Sequence, residues 1–169
     1  MVFSAPIFLT VFLPLVLTGC WLLAGLLRRV AGVRGRPFSW RPVNGFILLA
    51  SLGFYFWGEG EWVGWLAASV GFNAGAARLV AMRETPGWRR GWLSAAVGAN
   101  LLLLGWFKYA GFVAESLNLL PGVTVPVPDV ALPLGISFYT FQAMSYVWDV
   151  YRRETEPAES LVDFACYVT

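Results

Sequence analysis

From Leu132 to Arg153 the chain reads LPLGISFYTFQAMSYVWDVYRR, a run apolar enough for a membrane span that nonetheless contains hydroxyls, an amide and a carboxylate. Polar groups are costly in hydrocarbon, and where they occur they often mark a site. Laid on a helix, Phe138, Gln142, Ser145 and Asp149 follow at steps of four, three and four residues and form one stripe. Ser137, Thr140 and Tyr146 fall on neighbouring faces. Such a stripe must face protein or water rather than lipid. Two roles fit it equally well. One is hydrogen bonding between helices, with Asp149 pairing with Arg152 or Arg153; the other is the lining of a polar passage by Ser137, Tyr139, Thr140, Gln142, Ser145 and Asp149.

Hydroxyls and amides can donate hydrogen bonds to an oxygen that is gaining charge, but none of them titrates near neutrality. The sequence has no histidine, so no imidazole serves as acid, base or metal ligand within it. There is also no phosphate-cradling glycine loop and no pair of cysteines at metal spacing. We therefore assign no catalytic residue to these 169 positions and expect neither a metal site nor a bound cofactor.

Other polar intrusions have plainer readings. Asn73 and Arg78 share one apolar segment, where an amide bridging to a neighbouring helix and a guanidinium extended to the boundary suffice. Asn100 is ambiguous in the same way. Ala67, Gly71 and Gly75 recur every four residues, a stripe of small side chains that lets another backbone approach. Lys108 and Tyr109 end a segment at the outer face, either as an anchor or as contacts for an anionic polymer.

The elements that position these residues follow from composition. With 58% hydrophobic residues, 17% aromatic and only 13% charged, and a mean hydropathy of +0.64, the chain is far more apolar than a soluble domain. A formal charge of +2 is too small to imply nucleic-acid binding. The expected fold is all-α, a polytopic transmembrane helix bundle forming one domain over 1–169 with no separate soluble part. Its predicted spans cover 6–27, 43–57, 62–82, 92–107 and 133–150, and a sixth begins at Leu161. Pro14 should kink the first, and Pro133 suits the opening turn of the fifth.

Between the fourth and fifth, the residues from Lys108 to Leu120 suggest a short helix lying in the interface. Pro121 to Pro133 spaces its prolines too closely for a helix and reads as an extended outer connector. The sequence LTGC at 17–20 resembles a lipoprotein cleavage box. It lacks a preceding Lys or Arg and is followed by further apolar residues, which favours a retained helix. Cys20 and Cys166 are too few for a disulfide framework.

Charges set the orientation. Arg28, Arg29, Arg34, Arg36 and Arg41 fall in the first loop, Arg83, Arg89 and Arg90 in the third, and Arg152 and Arg153 after the fifth span. Glu59 and Glu61 lie in the second loop and Glu115 and Asp129 in the fourth. Because Lys and Arg are retained on the cytoplasmic side, the N-terminus should be outside and the chain end cytoplasmic. Trp40, Trp57, Trp62, Trp65, Trp88 and Trp92 stand near span ends, as an aromatic belt would.

Four stretches carry a family likeness: MVFSAPIFLTVFLPLV at the start, LLASLGFYFWGE from Leu48, GWFKYAGF from Gly105, and LPLGISFYTFQAMSYVWDVYR from Leu132. In these motifs and their order the chain resembles the N-terminal portion of a membrane-bound O-acyltransferase, in the bacterial branch that acetylates alginate and related exopolysaccharides. The resemblance implies an inner-membrane helix bundle pierced by a funnel, with an acetyl thioester donor entering from one side and a polysaccharide acceptor from the other. It implies that the family's essential histidine lies in a later half that this sequence does not contain. On that footing the chain is a truncated piece, inactive alone, whose partners are the lipid bilayer, that C-terminal half and other exopolysaccharide-acetylation proteins. Two alternatives come from other classes: a transporter or channel segment, and a structural membrane subunit for a separately encoded catalytic half.

Overall fold

The computed structural model describes residues 6–34, 37–128 and 130–169; Arg36, Asp129 and the first five residues of the opening motif lie outside them. The protein is all-helical, with about 80% of the chain in helices and no strand among the described residues. A π-helical turn, Phe8–Phe12, leads into α1, Leu13–Arg34. It is followed by α2, Arg41–Glu59, then α3, Val63–Met82, and α4, Pro86–Leu117. The last two are α5, Ile136–Arg152, and α6, Leu161–Val168. Among the described residues two helices, Phe8–Arg34 with 27 residues and Pro86–Leu117 with 32, are long and apolar enough to cross a membrane.

Local chemistry explains the boundaries. Pro14 has no N–H to return to Thr10, and the turn before it widens so that the Leu13 N–H reaches Phe8 O, five residues back. Proline also sits in the first turn of α2 and of α4, where a missing donor does no harm. The helix expected from Pro133 starts instead at Ile136. Pro133 closes the preceding turn by accepting Ile136 N at 3.3 Å, and Gly135 at φ +74° makes the left-handed step into α5.

The separate interfacial helix expected over 108–120 does not form, because α4 runs unbroken through Lys108 and Gly111 to Leu117. The expected span 92–107 is the middle of that longer helix. No proline interrupts the stretch, and the polar residues between apolar ones merely change which face is exposed.

Contacts divide the chain into two compact units, one of residues up to Ala67 together with Ala158–Thr169, the other Ala68–Pro157. In the first, Phe8, Phe12 and Phe54 form an aromatic cluster with ring centroids 4.8–5.5 Å apart. Gly19 lies so close to Phe46 that an added Cβ would stand 2.7 Å from its ring. Helix α6 starts at Leu161, as expected, because the Ser160 hydroxyl accepts from Val162 N at 3.2 Å. It is joined to α2 by Asn44 Nδ2 donating to Asp163 Oδ1 at 2.8 Å. An exposed Arg41–Glu159 pair at 2.6 Å adds little.

The core of the second unit unites three helices: Ala76, Ala77 and Val80 of α3, Leu93 and Ala96 of α4, and Val147 and Val150 of α5. Small residues here let the helices approach closely. The stripe of Ala67, Gly71 and Gly75 is not that contact, contrary to the expectation that it packs. Ala67 and Gly71 are exposed, and a Cβ at Gly71 or Gly75 would meet nothing within 4 Å. The face bearing Ala76, Ala77 and Val80 holds larger apolar surface and is buried instead.

Candidate functional site

Helix α5 buries Ile136, Tyr139, Thr140, Ala143, Met144, Val147 and Val150. These recur at steps of three and four residues and turn one face into the core of the unit. Of the six expected passage residues, Tyr139 and Thr140 lie on this face, whereas Ser137, Gln142 and Asp149 are half-buried and Ser145 is exposed. Phe138, which heads the polar stripe, is 74% exposed. The stripe thus forms as the helical spacing requires, on the side away from the packed core. Ser145 donates to Gln142 O at 2.9 Å.

Thr140 is the unusual member. Its side chain is 0% exposed, and its hydroxyl has no hydrogen-bond partner among the described residues. Helical threonines elsewhere in the chain donate to the carbonyl one turn back: Thr10 to Pro6 O and Thr18 to Pro14 O, both at 2.7 Å. A buried hydroxyl without a partner is destabilising, and it is also a donor ready for one.

Two polar clusters brace this helix and its neighbours. Asn73 of α3 and Asn100 of α4, 0% and 2% exposed, exchange reciprocal amide hydrogen bonds of 3.1 and 2.8 Å. Each then donates to its own helix, Asn73 to Ser69 O at 2.9 Å and Asn100 to Ala96 O at 2.8 Å. Both amides use their donors and accept once, which identifies them as a bridge between helices. This was the plainer reading of Asn73, and it extends to Asn100.

At the C-terminus of α5, Arg153 takes φ 63° and the chain folds back, with Glu154 N donating to Asp149 O at 3.0 Å and Arg153 N to Val150 O at 3.2 Å. Arg89, only 7% exposed, completes this end. It donates to Val150 O at 3.1 Å and Tyr151 O at 2.6 Å, with its guanidinium 5.7 Å from the Tyr151 ring. A buried cation is held here by helix-end carbonyls and an aromatic face rather than by a carboxylate. Loop charge alone gave no sign of this role. The spacing Arg89–Leu93–Ala96, continuous with the buried face of α4, is the signal that could have found it.

The ion pair expected for Asp149 is absent among the described residues. Arg152 pairs with Glu154 at 2.7 Å and Arg153 with Glu84. The left-handed residue Arg153 folds the chain back so that Glu154 follows the helix end at once, and both guanidiniums are engaged by glutamates outside α5.

Lys108 and Tyr109 stand on the exposed side of α4, the ammonium 5.6 Å from the phenol ring. Tyr109 also lines an apolar groove of about 700 Å³ between α4 and the connector at Val125–Pro128. Asn118 clamps that connector by donating to Val125 O at 2.9 Å and accepting Val125 N at 2.6 Å. Among the described residues no hydrogen bond, ion pair or ring contact of Lys108 or Tyr109 reaches the α5 residues, the ammonium lying against the neighbouring phenol. Among the described residues no group of three His, Cys, Asp or Glu could hold a metal ion.

The chain is similar to curated bacterial proteins along nearly its whole length. It is 37% identical over 99% of its residues to a probable alginate O-acetylase AlgI of Pseudomonas putida, covering 33% of that protein. It is 39% identical to the probable AlgI of Azotobacter vinelandii, again over 99% of the chain and 32% of the relative. A peptidoglycan O-acetyltransferase of Helicobacter pylori is 30% identical over 90% of the chain and 27% of its own length. The chain therefore spans about a third of the length of these relatives. No family model matches it. No solved structure does either.

Proposed function

We propose, from the chain's membership of the family of the bacterial alginate O-acetylases, that it is part of a membrane-bound O-acyltransferase placing acetyl groups on hydroxyls of an exopolysaccharide such as alginate. The observation that carries this is the 37–39% identity sustained over 99% of the chain. The transporter alternative has no comparable support, since these relatives carry acetylase names.

The placement we infer is a multi-pass protein of the bacterial inner membrane. Helices α2, α3 and α5 have 19, 20 and 17 residues. At 1.5 Å per residue these come to about 26–30 Å, the thickness of the hydrocarbon layer. Together with the two longer helices they give five crossings, and α6 opens a sixth. The arginine-rich first and third loops then lie in the cytoplasm and the N-terminus outside.

Acetyl transfer from a thioester requires the acceptor hydroxyl to lose its proton as its oxygen attacks the carbonyl. The negative charge arising on the carbonyl oxygen needs donors. With no histidine, this third of the protein offers no group suited to take that proton near neutral pH. What it offers is Thr140 and Tyr139 on the buried side of α5, Gln142 half-buried beside them, and Lys108 with Tyr109 on α4. We read the α5 residues as lining and supporting the acyl path, and Lys108 and Tyr109 as contacts for the anionic acceptor. The donor, an acetyl thioester, and the companion proteins of exopolysaccharide acetylation complete the proposal.

The test is a chimera. A complete alginate O-acetylase whose matching third is replaced by this chain should restore acetyl esters to alginate in a strain lacking its own enzyme. A chimera that inserts in the membrane and leaves the polymer unacetylated overturns the reading. The 169-residue chain by itself should give no turnover on a mannuronate oligomer.

A further inference from the structure

Helices α1 and α2 flank an open groove of about 760 Å³ in the first unit. Arg28, Arg29 and Trp40 line one end of it, and Trp21, Leu22 and Ile47 are among its apolar walls. The uncharged run before the arginines, Phe8 to Leu27, covers about 30 Å at 1.5 Å per residue. Arg28 and Arg29 therefore stand where hydrocarbon gives way to headgroups.

Their charge is unanswered. No carboxylate among the described residues pairs with either arginine, whereas Arg41 nearby has Glu159 and the groove's Asn44 is engaged with Asp163. The Arg28 guanidinium lies 5.2 Å from the Phe38 ring and 5.3 Å from the Trp40 ring. A guanidinium stacked in this way is held in orientation while its N–H edge stays available to oxygen acceptors.

The geometry points to a binding site for an acidic phospholipid, its phosphate held by Arg28 and Arg29 and an acyl chain lying along the groove past Leu22 and Ile47. Charge complementarity selects this occupant. Two unpaired cations at headgroup depth above an apolar channel match a lipid that is anionic at one end and hydrocarbon at the other. The site rests on the membrane placement above and not on acetyl transfer, so its test reads lipid and never activity.

The 169-residue chain extracted in mild detergent would be titrated with phosphatidylglycerol and with phosphatidylcholine, and bound lipid counted by native mass spectrometry. Wild type should retain phosphatidylglycerol in preference, and Arg28→Gln with Arg29→Gln should lower that retention about fivefold or more while leaving phosphatidylcholine unchanged. Gly25→Leu supplies a second variant that keeps both charges. Gly25 lines the groove and a Cβ there meets no atom within 4 Å, so leucine should fold and block the channel. Retention equal for the two lipids, preserved in the double variant, or untouched by Gly25→Leu overturns the site. So does a photo-crosslinker at Leu26 that captures a second copy of the chain rather than phospholipid.

Discussion

Thr140 separates structural from functional demand at a single side chain. Its buried hydroxyl lacks a partner among the described residues. Thr140→Val keeps the shape and removes that group, so the chain should gain about 1 kcal/mol of stability. Thermal unfolding in detergent measures this, and a loss of stability would mean that the hydroxyl is already satisfied. In the complete enzyme the same change should slow acetyl transfer at least tenfold if the hydroxyl donates to the reacting oxygen. Gln142→Leu should likewise lower acetylation with little loss of expression, and unchanged activity would return Gln142 to a packing role. Arg89→Met tests the opposite case, a polar residue that serves structure alone. It removes two charge-assisted hydrogen bonds from the end of α5 and should cost about 2 kcal/mol.

At the scale of elements, the paired amides hold α3 and α4 in register. Asn100→Leu alone strands the Asn73 amide in an apolar core and should destabilise by about 1–2 kcal/mol. Adding Asn73→Leu should recover much of that loss, and a double-mutant cycle reads the coupling. Additive losses would show that the two amides act separately. The helical periods and the start of α6 at Leu161 were legible in the sequence, because each depends on neighbours within one or two turns, and an amide in an apolar segment was enough to suggest that Asn73 bridges to another helix, though not to which residue. Three features were not. The polar stripe of α5 gave the right spacing, yet which face is buried depended on Ala76, Ala77, Leu93 and Ala96 arriving from distant segments. The continuity of α4 through Lys108 is not legible because a charge at the end of an apolar run reads as a span boundary. Arg89 reads as a loop charge because its acceptors, Val150 O and Tyr151 O, lie about sixty residues away.

For the whole molecule, the proposed topology makes a prediction independent of any chemistry. Alkaline phosphatase fused after Gly122 should be active, being exported, and fused after Glu84 it should be inactive. The reverse pattern would invert the protein and move Lys108 and Tyr109 to the side away from an exported polymer. The length of α4 bears on the same question. Its 32 residues measure about 48 Å, against about 30 Å of hydrocarbon, and an ordinary tilt of about 20° removes only a few ångströms of the excess. In the proposed placement some 15 Å of rigid rod, shared between the two ends of α4, therefore projects past the lipid tails. In the proposed orientation, a sugar polymer approaching from outside would meet a fixed pier, braced by Asn118 against the proline-rich strap, rather than a pliable fringe.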